Sequence, residues 1–142
     1  MTGRGAGHGG SMSRVLGVGV DLVHVPSFAD QLDQPGSEFA EVFTPGERRD
    51  ANGRSTDSAR HLAARWAAKE AVVKAWSSSL YGTAPVMDDE ALRQIEVVLD
   101  AWGRPRIRLH GEVAKHLETC TVEISLSHDG DYATAYAVLH RT

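Results

Sequence analysis

The stretch RWAAKEAVVKA, residues 65–75, sets four charged side chains, Arg65, Lys69, Glu70 and Lys74, into a run otherwise made of alanine, valine and tryptophan. With Asp57 or Ser58 as its cap, this segment predicts the longest helix of the chain, running to about Trp76. On that helix Glu70 has Trp66 and Ala67 one turn behind and Val73 and Lys74 one turn ahead, so its face is mostly small or apolar. Arg65 and Lys69 lie on a neighbouring face beside Val72, Val73 and Trp76. A solvated helix face gathers its charges in one stripe, whereas here apolar residues flank each charge. Two explanations stand at this point. One is an alanine-rich surface helix with an ordinary Glu70–Lys74 pair, worth a few tenths of a kcal/mol. The other is a set of charges kept for chemistry.

Outward from this helix the other elements follow. RVLGVGVDLVHV at 14–25 is β-rich and continuous and reads as a buried strand. PSFADQL predicts a short helix, with Ser27 a possible cap and Pro35-Gly36 a stop, and SEFAEVF another turn or two. In TPGERR, Thr44, Pro45 at the first helical position and Glu47 three residues after Thr44 form a capping-box pattern. NGRSTDS and SSSLYGTAPVMDDE read as loops. RQIEVVLD, WGRP and RIRLH predict a hairpin, and TVEISLSH, DGD and YATAYAVLH a second one. Between them GEVAKHLETC predicts a short amphipathic helix with Val113, Ala114 and Leu117 inward. There is no internal repeat. The order of elements indicates an α+β fold, a largely antiparallel sheet packed on one long helix plus short helices, not an alternating parallel α/β fold.

The 142 residues suit one domain. With 42% apolar and 24% charged residues, the default class is a globular domain. A formal net charge of −4 disfavours nucleic acid as a partner, while a local cluster of cations on such a body suits a phosphorylated small molecule. The single cysteine, Cys120, allows no intrachain disulfide; this fits a reducing, cytoplasmic setting, with Cys120 itself a small buried hydrophobe. No apolar run is long enough to span a bilayer, so no membrane association is expected. MTGRGAGHGGS lacks the hydrophobic region of a signal peptide. Residues 1–11 are expected to be a disordered glycine-rich extension ahead of a single domain at 12–142.

In GVGVDLV, Asp21 shares one strand face with Gly17 and Gly19. Glycines on that face leave room for a ligand or another backbone to come close. Burying a carboxylate is costly unless it is compensated, and backbone amides at a strand end would suffice for Asp21 alone. Together, Asp21 and Glu70 are two hard oxygen donors of the kind Mg²⁺ takes alongside waters and substrate phosphates. Arg65, Lys69 and Lys74 add cations of the kind a diphosphate requires, which a purely carboxylate metal site does not. His128 and Asp129 end a strand and enter a turn; Asp129-Gly130 is ordinary turn chemistry, and a histidine there is either structural or functional. Neither a Walker-type phosphate loop nor a dinucleotide fingerprint is present.

Three stretches in order, GVGVDLVHV at 17–25, RWAAKEAVVKA at 65–75 and SLSHDGDYATA at 125–135, resemble the holo-acyl-carrier-protein synthases, the AcpS-type 4′-phosphopantetheinyl transferases. GRPRIRL at 103–109 resembles the hairpin of that family, and FTPGERRDA at 43–51 is closest to its actinobacterial members. The resemblance implies transfer of the phosphopantetheine arm of coenzyme A to a serine of apo acyl carrier protein, releasing adenosine 3′,5′-bisphosphate, in fatty acid biosynthesis. It implies Asp21 and Glu70 as Mg²⁺ ligands, with Glu70 also a candidate base, directly or through water. It implies Lys74 facing the diphosphate, Arg65 and Lys69 holding coenzyme A phosphates, and His128 at the coenzyme A pocket. It further implies a homotrimer with active sites between subunits, in which Asp21 could meet Glu70 across an interface. The acidic carrier would meet a basic surface, with Arg48, Arg49 and Arg54 the candidates and an ordinary solvated helix end the alternative. The chain departs from the family after the long helix, where SSSLYG at 77–82 replaces a glycine pair and TAPVMDDEA lengthens the loop. Two other classes remain open on the residues alone: a catalytically silent module that binds nucleotides or coenzyme A, and a structural domain whose charges form internal salt bridges.

Overall fold

The structure, a computed structural model, describes residues 14–35, 39–53 and 58–142. The glycine-rich extension, the start of order near Met12, the Asp57 cap, Gly36 and Arg54 all fall outside these residues. Among the described residues five strands and four helices follow one another: β1 (Arg14–His24), α1 (Val25–Leu32), α2 (Pro45–Gly53), α3 (Ser58–Ser79), β2 (Ile95–Leu99), β3 (Pro105–Leu109), α4 (Gly111–His116), β4 (Cys120–Asp129) and β5 (Tyr132–Arg141). Single 3₁₀ segments, Phe39–Val42 and Asp89–Gln94, precede α2 and β2. The expected α+β architecture holds. The single sheet does not: the strands form an antiparallel three-stranded sheet in the order β1-β5-β4 and a separate β2-β3 hairpin. Val113 and Leu117 of the α4 region are buried.

The core is the contact between α3 and the three-stranded sheet, and it is built from small residues. Ala63, Ala67, Ala68, Ala71 and Ala75 of α3 are buried, as are Ala133, Ala135 and Ala137 on the facing side of β5. At β1 the approach is closest. A Cβ at Gly17 would sit 2.0 Å from the carbonyl oxygen of Ala75, and one at Gly19 2.0 Å from that of Ala71. The room left by the glycines is therefore filled by another backbone. Around this layer pack Val72, Trp76, Ile95, Val97 and Leu139, and a tilted aromatic group of Phe28, Phe43 and Trp66 closes the N-terminal half of the helix.

Only one face of β1 is covered, so the expectation of a buried strand is corrected: Val18, Val20 and Leu22 are 45%, 55% and 65% exposed on its outer face. The cap of α1 is also one turn earlier than expected. His24, not Ser27, is the N-cap, and its ring accepts from the Ser27 amide. Pro26 carries the reason, since proline belongs in the first turn and puts the cap before it. The capping box at Thr44 forms as expected, with Thr44 N–H donating to Glu47 Oε1 at 2.9 Å and Glu47 N–H to Thr44 Oγ1 at 3.1 Å. α3 continues three residues past Trp76 to Ser79 and ends in a turn closed by Thr83 N–H to the Leu80 carbonyl, 2.8 Å, with Gly82 at positive φ. Arg93 and Gln94, expected in β2, belong instead to the 3₁₀ turn before it.

Candidate active site

The step between the two glycine contacts determines what lies next. Two residues along a strand cover about 6.7 Å and four along a helix about 6 Å, so moving from Gly17 to Gly19 on β1 matches moving from Ala75 to Ala71 on α3. One more step brings Asp21 level with Ala67, where a side chain replaces glycine and the helix surface beside it carries Glu70. Asp21 and Glu70 thus meet within one chain. Both line an open recess of about 240 Å³, together with His24, Ser27, Gln31 and Trp66. Lys74, one turn beyond Glu70, donates to Asp21 Oδ1 at 3.1 Å and to the Val20 carbonyl at 3.0 Å. Thr134 Oγ1 donates to the Asp21 carbonyl at 2.7 Å, tying this part of β1 to β5.

The electrostatics of the pair are unequal. Burial, and then the neighbouring Asp21 charge, push the Glu70 carboxyl above its ordinary value, while Lys74 pulls it back. Two carboxylates in one recess with a single lysine leave negative charge uncompensated, which a hard divalent cation would relieve. Among the described residues there is no cluster of three or more histidines, cysteines or carboxylates suited to a metal. The donor set is a carboxylate pair, which fits Mg²⁺, an ion that ordinarily keeps waters and substrate oxygens in its shell.

The structure brings together Asp21, Glu70 and Lys74 and leaves the other expected residues elsewhere. Lys69 is wholly buried. Its ammonium donates to Glu47 Oε1 at 2.9 Å, to the Leu92 carbonyl at 3.1 Å and to the Ile95 carbonyl. Three acceptors use all three of its hydrogens, so the expectation that Lys69 holds a coenzyme A phosphate is corrected: no donor is left. Burial pushes this ammonium below its ordinary value, against the pull of Glu47. Glu47, equally buried, also accepts from the Val97 amide at 2.7 Å, so one ion pair joins α2, α3 and β2. Arg65 is likewise buried, donating to the His61 carbonyl at 3.1 Å and to Asp50 at 3.3 Å. These two contacts make it a tie between α2 and α3 outside the recess, and its buried Nε is left without a partner among the described residues.

His128 is exposed on β4 opposite Ala133, and Ala133 in turn lies opposite Val23. It shares the sheet face of Asp21 but stands two strands across and two residues along, about 12 Å away by strand spacing and rise, and does not line the recess. Sequence reasoning missed His24, Ser27 and Gln31 at the recess. Pro26 was the available signal for His24, and nothing marked Gln31. It also read Glu47 only as a capping residue. Glu96 carries a second polar knot near Glu47: Thr44 Oγ1 donates to it at 2.8 Å and His110 Nε2 lies 2.9 Å away. Burial pushes the Glu96 carboxyl up, but these contacts outweigh it and hold the group below its ordinary value.

Residues 17–137 match the model of the 4′-phosphopantetheinyl transferase superfamily. The holo-[acyl-carrier-protein] synthase of Mycobacterium ulcerans is 61% identical over 125 residues, covering 88% of this chain and 96% of that protein; the synthase of Mycobacterium tuberculosis is 59% identical over the same length. The solved M. tuberculosis acyl carrier protein synthase superposes with a TM-score of 0.77 at 52% identity, covering 90% of this chain and 99% of that one. A complex of the Chronobacterium ammoniagenes synthase with coenzyme A superposes with a TM-score of 0.82 at 50% identity, covering 88% and 96%. The expected kinship with actinobacterial synthases is met by the mycobacterial relatives. With the three motifs at their spacing, the small-residue contact that joins Asp21 to Glu70 and a match over most of its length, the chain belongs to the 4′-phosphopantetheinyl transferase superfamily of enzymes.

Proposed function

We propose that the chain is a holo-[acyl-carrier-protein] synthase that moves 4′-phosphopantetheine from coenzyme A to a serine of apo acyl carrier protein and releases adenosine 3′,5′-bisphosphate. The observation that carries this reading is the convergence of Asp21, Glu70 and Lys74 in one chain so closely similar to synthases. Asp21 and Glu70 would hold Mg²⁺, which when bound neutralises the diphosphate and stabilises its departing oxygen. Lys74 uses two of its three hydrogens on Asp21 and Val20 and is half exposed, so one donor remains for a phosphate oxygen. The serine oxygen attacks the β-phosphorus, and the bond from that phosphorus to the bridging oxygen breaks. Negative charge then grows on the released bisphosphate beside Lys74. Glu70, whose environment raises its affinity for protons, takes the serine proton directly or through water.

The remaining elements of the reading concern assembly and partners. Val18, Val20 and Leu22 of β1 and Tyr136 of β5 form an exposed apolar face on the sheet, in cross-strand register at Val20 and Tyr136. Such a face favours self-association, and a homotrimer would cover it. In that assembly a neighbouring protomer would bring its His128 to the coenzyme A pocket. Arg48 and Arg49 are exposed on α2 and are offered as contacts for the acidic carrier, although Arg48 also donates to the Ala40 carbonyl. The reaction would belong to fatty acid synthesis in the cytoplasm; among the described residues no helix is long and apolar enough to cross a membrane.

The test is to incubate the protein with apo carrier, coenzyme A and Mg²⁺ and weigh the carrier. A mass gain of one phosphopantetheine is expected; binding of coenzyme A without it, or no binding, rejects the reading. Charge reversal at Arg48 and Arg49 should raise the carrier Michaelis constant at low salt, and an unchanged value rules that contact out.

A further inference from the structure

His24 ends β1, caps α1 and lines the recess with Asp21 and Glu70. Two contacts fix its ring. Ser27 engages Nδ1, through its amide at 3.3 Å and its hydroxyl at 2.6 Å, and the Tyr132 ring packs against it with centroids 5.2 Å apart. An amide can only donate, so Nδ1 is the acceptor and the neutral ring carries its hydrogen on Nε2. No partner for Nε2 is seen among the described residues. The ring therefore offers the recess one oriented donor and no base.

We infer that His24 is a substrate-binding residue whose Nε2–H donates to a phosphate oxygen of the diphosphate held at Asp21, Glu70 and Lys74, an assignment that rests on the function proposed above. The recess explains why an uncharged donor belongs there. Its inner wall carries two carboxylates, which accept hydrogen bonds and make none when ionised. The α1 wall supplies His24, Ser27 and Gln31, with no lysine or arginine among them. Oxygens of a bound diphosphate that face away from Lys74 need donors from that side, and His24 is the one whose ring is held by both a cap and an aromatic neighbour.

The imidazole does two things that can be separated. Asparagine reproduces a cap acceptor near Nδ1 and loses Nε2; glutamine reaches the position of Nε2 and loses the cap. Full-length protein and the His24→Asn and His24→Gln variants are compared for the dissociation constant of coenzyme A with Mg²⁺ by calorimetry, and for the thermal midpoint without ligand. Expected is about tenfold weaker binding in His24→Asn with an unchanged midpoint, and binding within threefold of wild type in His24→Gln despite a lower midpoint. If His24→Asn binds as wild type does, or His24→Gln fails to recover binding, His24 is a helix cap and nothing more. Wild-type protein that binds no coenzyme A overturns this assignment and the proposed function together, and so differs from a failure of His24 alone.

Discussion

Lys69 and Lys74 stand five residues apart on one helix, each beside a carboxylate at about the same distance, 2.9 Å to Glu47 and 3.1 Å to Asp21. Five residues turn the helix by about 140°, so the two lysines leave on opposite sides. Both Lys69 and Glu47 side chains are 0% exposed, whereas Lys74 is 54% exposed and Asp21 15%. Lys69 has three acceptors for three hydrogens and Lys74 has two. Equal ion-pair distances thus conceal different tasks. The saturated lysine ties α2, α3 and β2 into one body; the unsaturated one, on the wall of the sheet contact, keeps one hydrogen unspent.

The largest expected effect would break the buried side of this contrast. Lys69→Met leaves Glu47 buried without its counterion and should cost about 3–5 kcal/mol in chemical denaturation. Adding Glu47→Leu should restore part of that, and a double variant less stable than Lys69→Met would refute the ion-pair account. Lys74→Met should lower transfer about 100-fold, about 2.7 kcal/mol in barrier, while changing unfolding free energy by less than about 1 kcal/mol. An equal loss of stability from both lysine substitutions would erase the distinction.

Glu70→Gln should abolish measurable transfer and raise the thermal midpoint by about 3–5 °C. The sign follows from linkage. A carboxyl whose folded value is raised binds more protons folded than unfolded, so stability falls as pH rises through the window between 4.5 and the raised value. Removing the charge removes that cost at neutral pH, and differential scanning calorimetry reads it. The smallest effect is a titration. In metal-free protein the Glu70 carboxyl followed by NMR should titrate above 4.5, and higher still in Lys74→Met, because Lys74 is the contact that pulls it down. Substituting Lys69 should leave it in place.

Much of this was legible in the chain. Period, caps and turn residues located nearly every element, and Asp21, Glu70 and Lys74 were marked by charge set among small residues. The capping box at Thr44 was read, but not that its Glu47 would be buried against Lys69. Local spacing sees contacts three and four residues away, while that pair spans 22 residues and the Val97 amide lies 50 away. Arg65 and Lys69 looked like ligand-binding cations for the same reason: a buried charge is recognisable from its apolar neighbours, but its partner is not. The exposed face of β1 was misread because a continuous apolar strand is compatible with cover on two sides, and α3 covers only one.

By itself the sequence determined the order and type of the elements, the unusual charges on the long helix and the glycine pair ahead of Asp21, because these depend on residue type and on neighbours within a turn or a pleat. Only the tertiary structure decided which lysine is spent on the fold and which stays available, since that depends on how many acceptors α2, β1 and β2 bring to each ammonium, and chain positions this far apart are matched by packing alone.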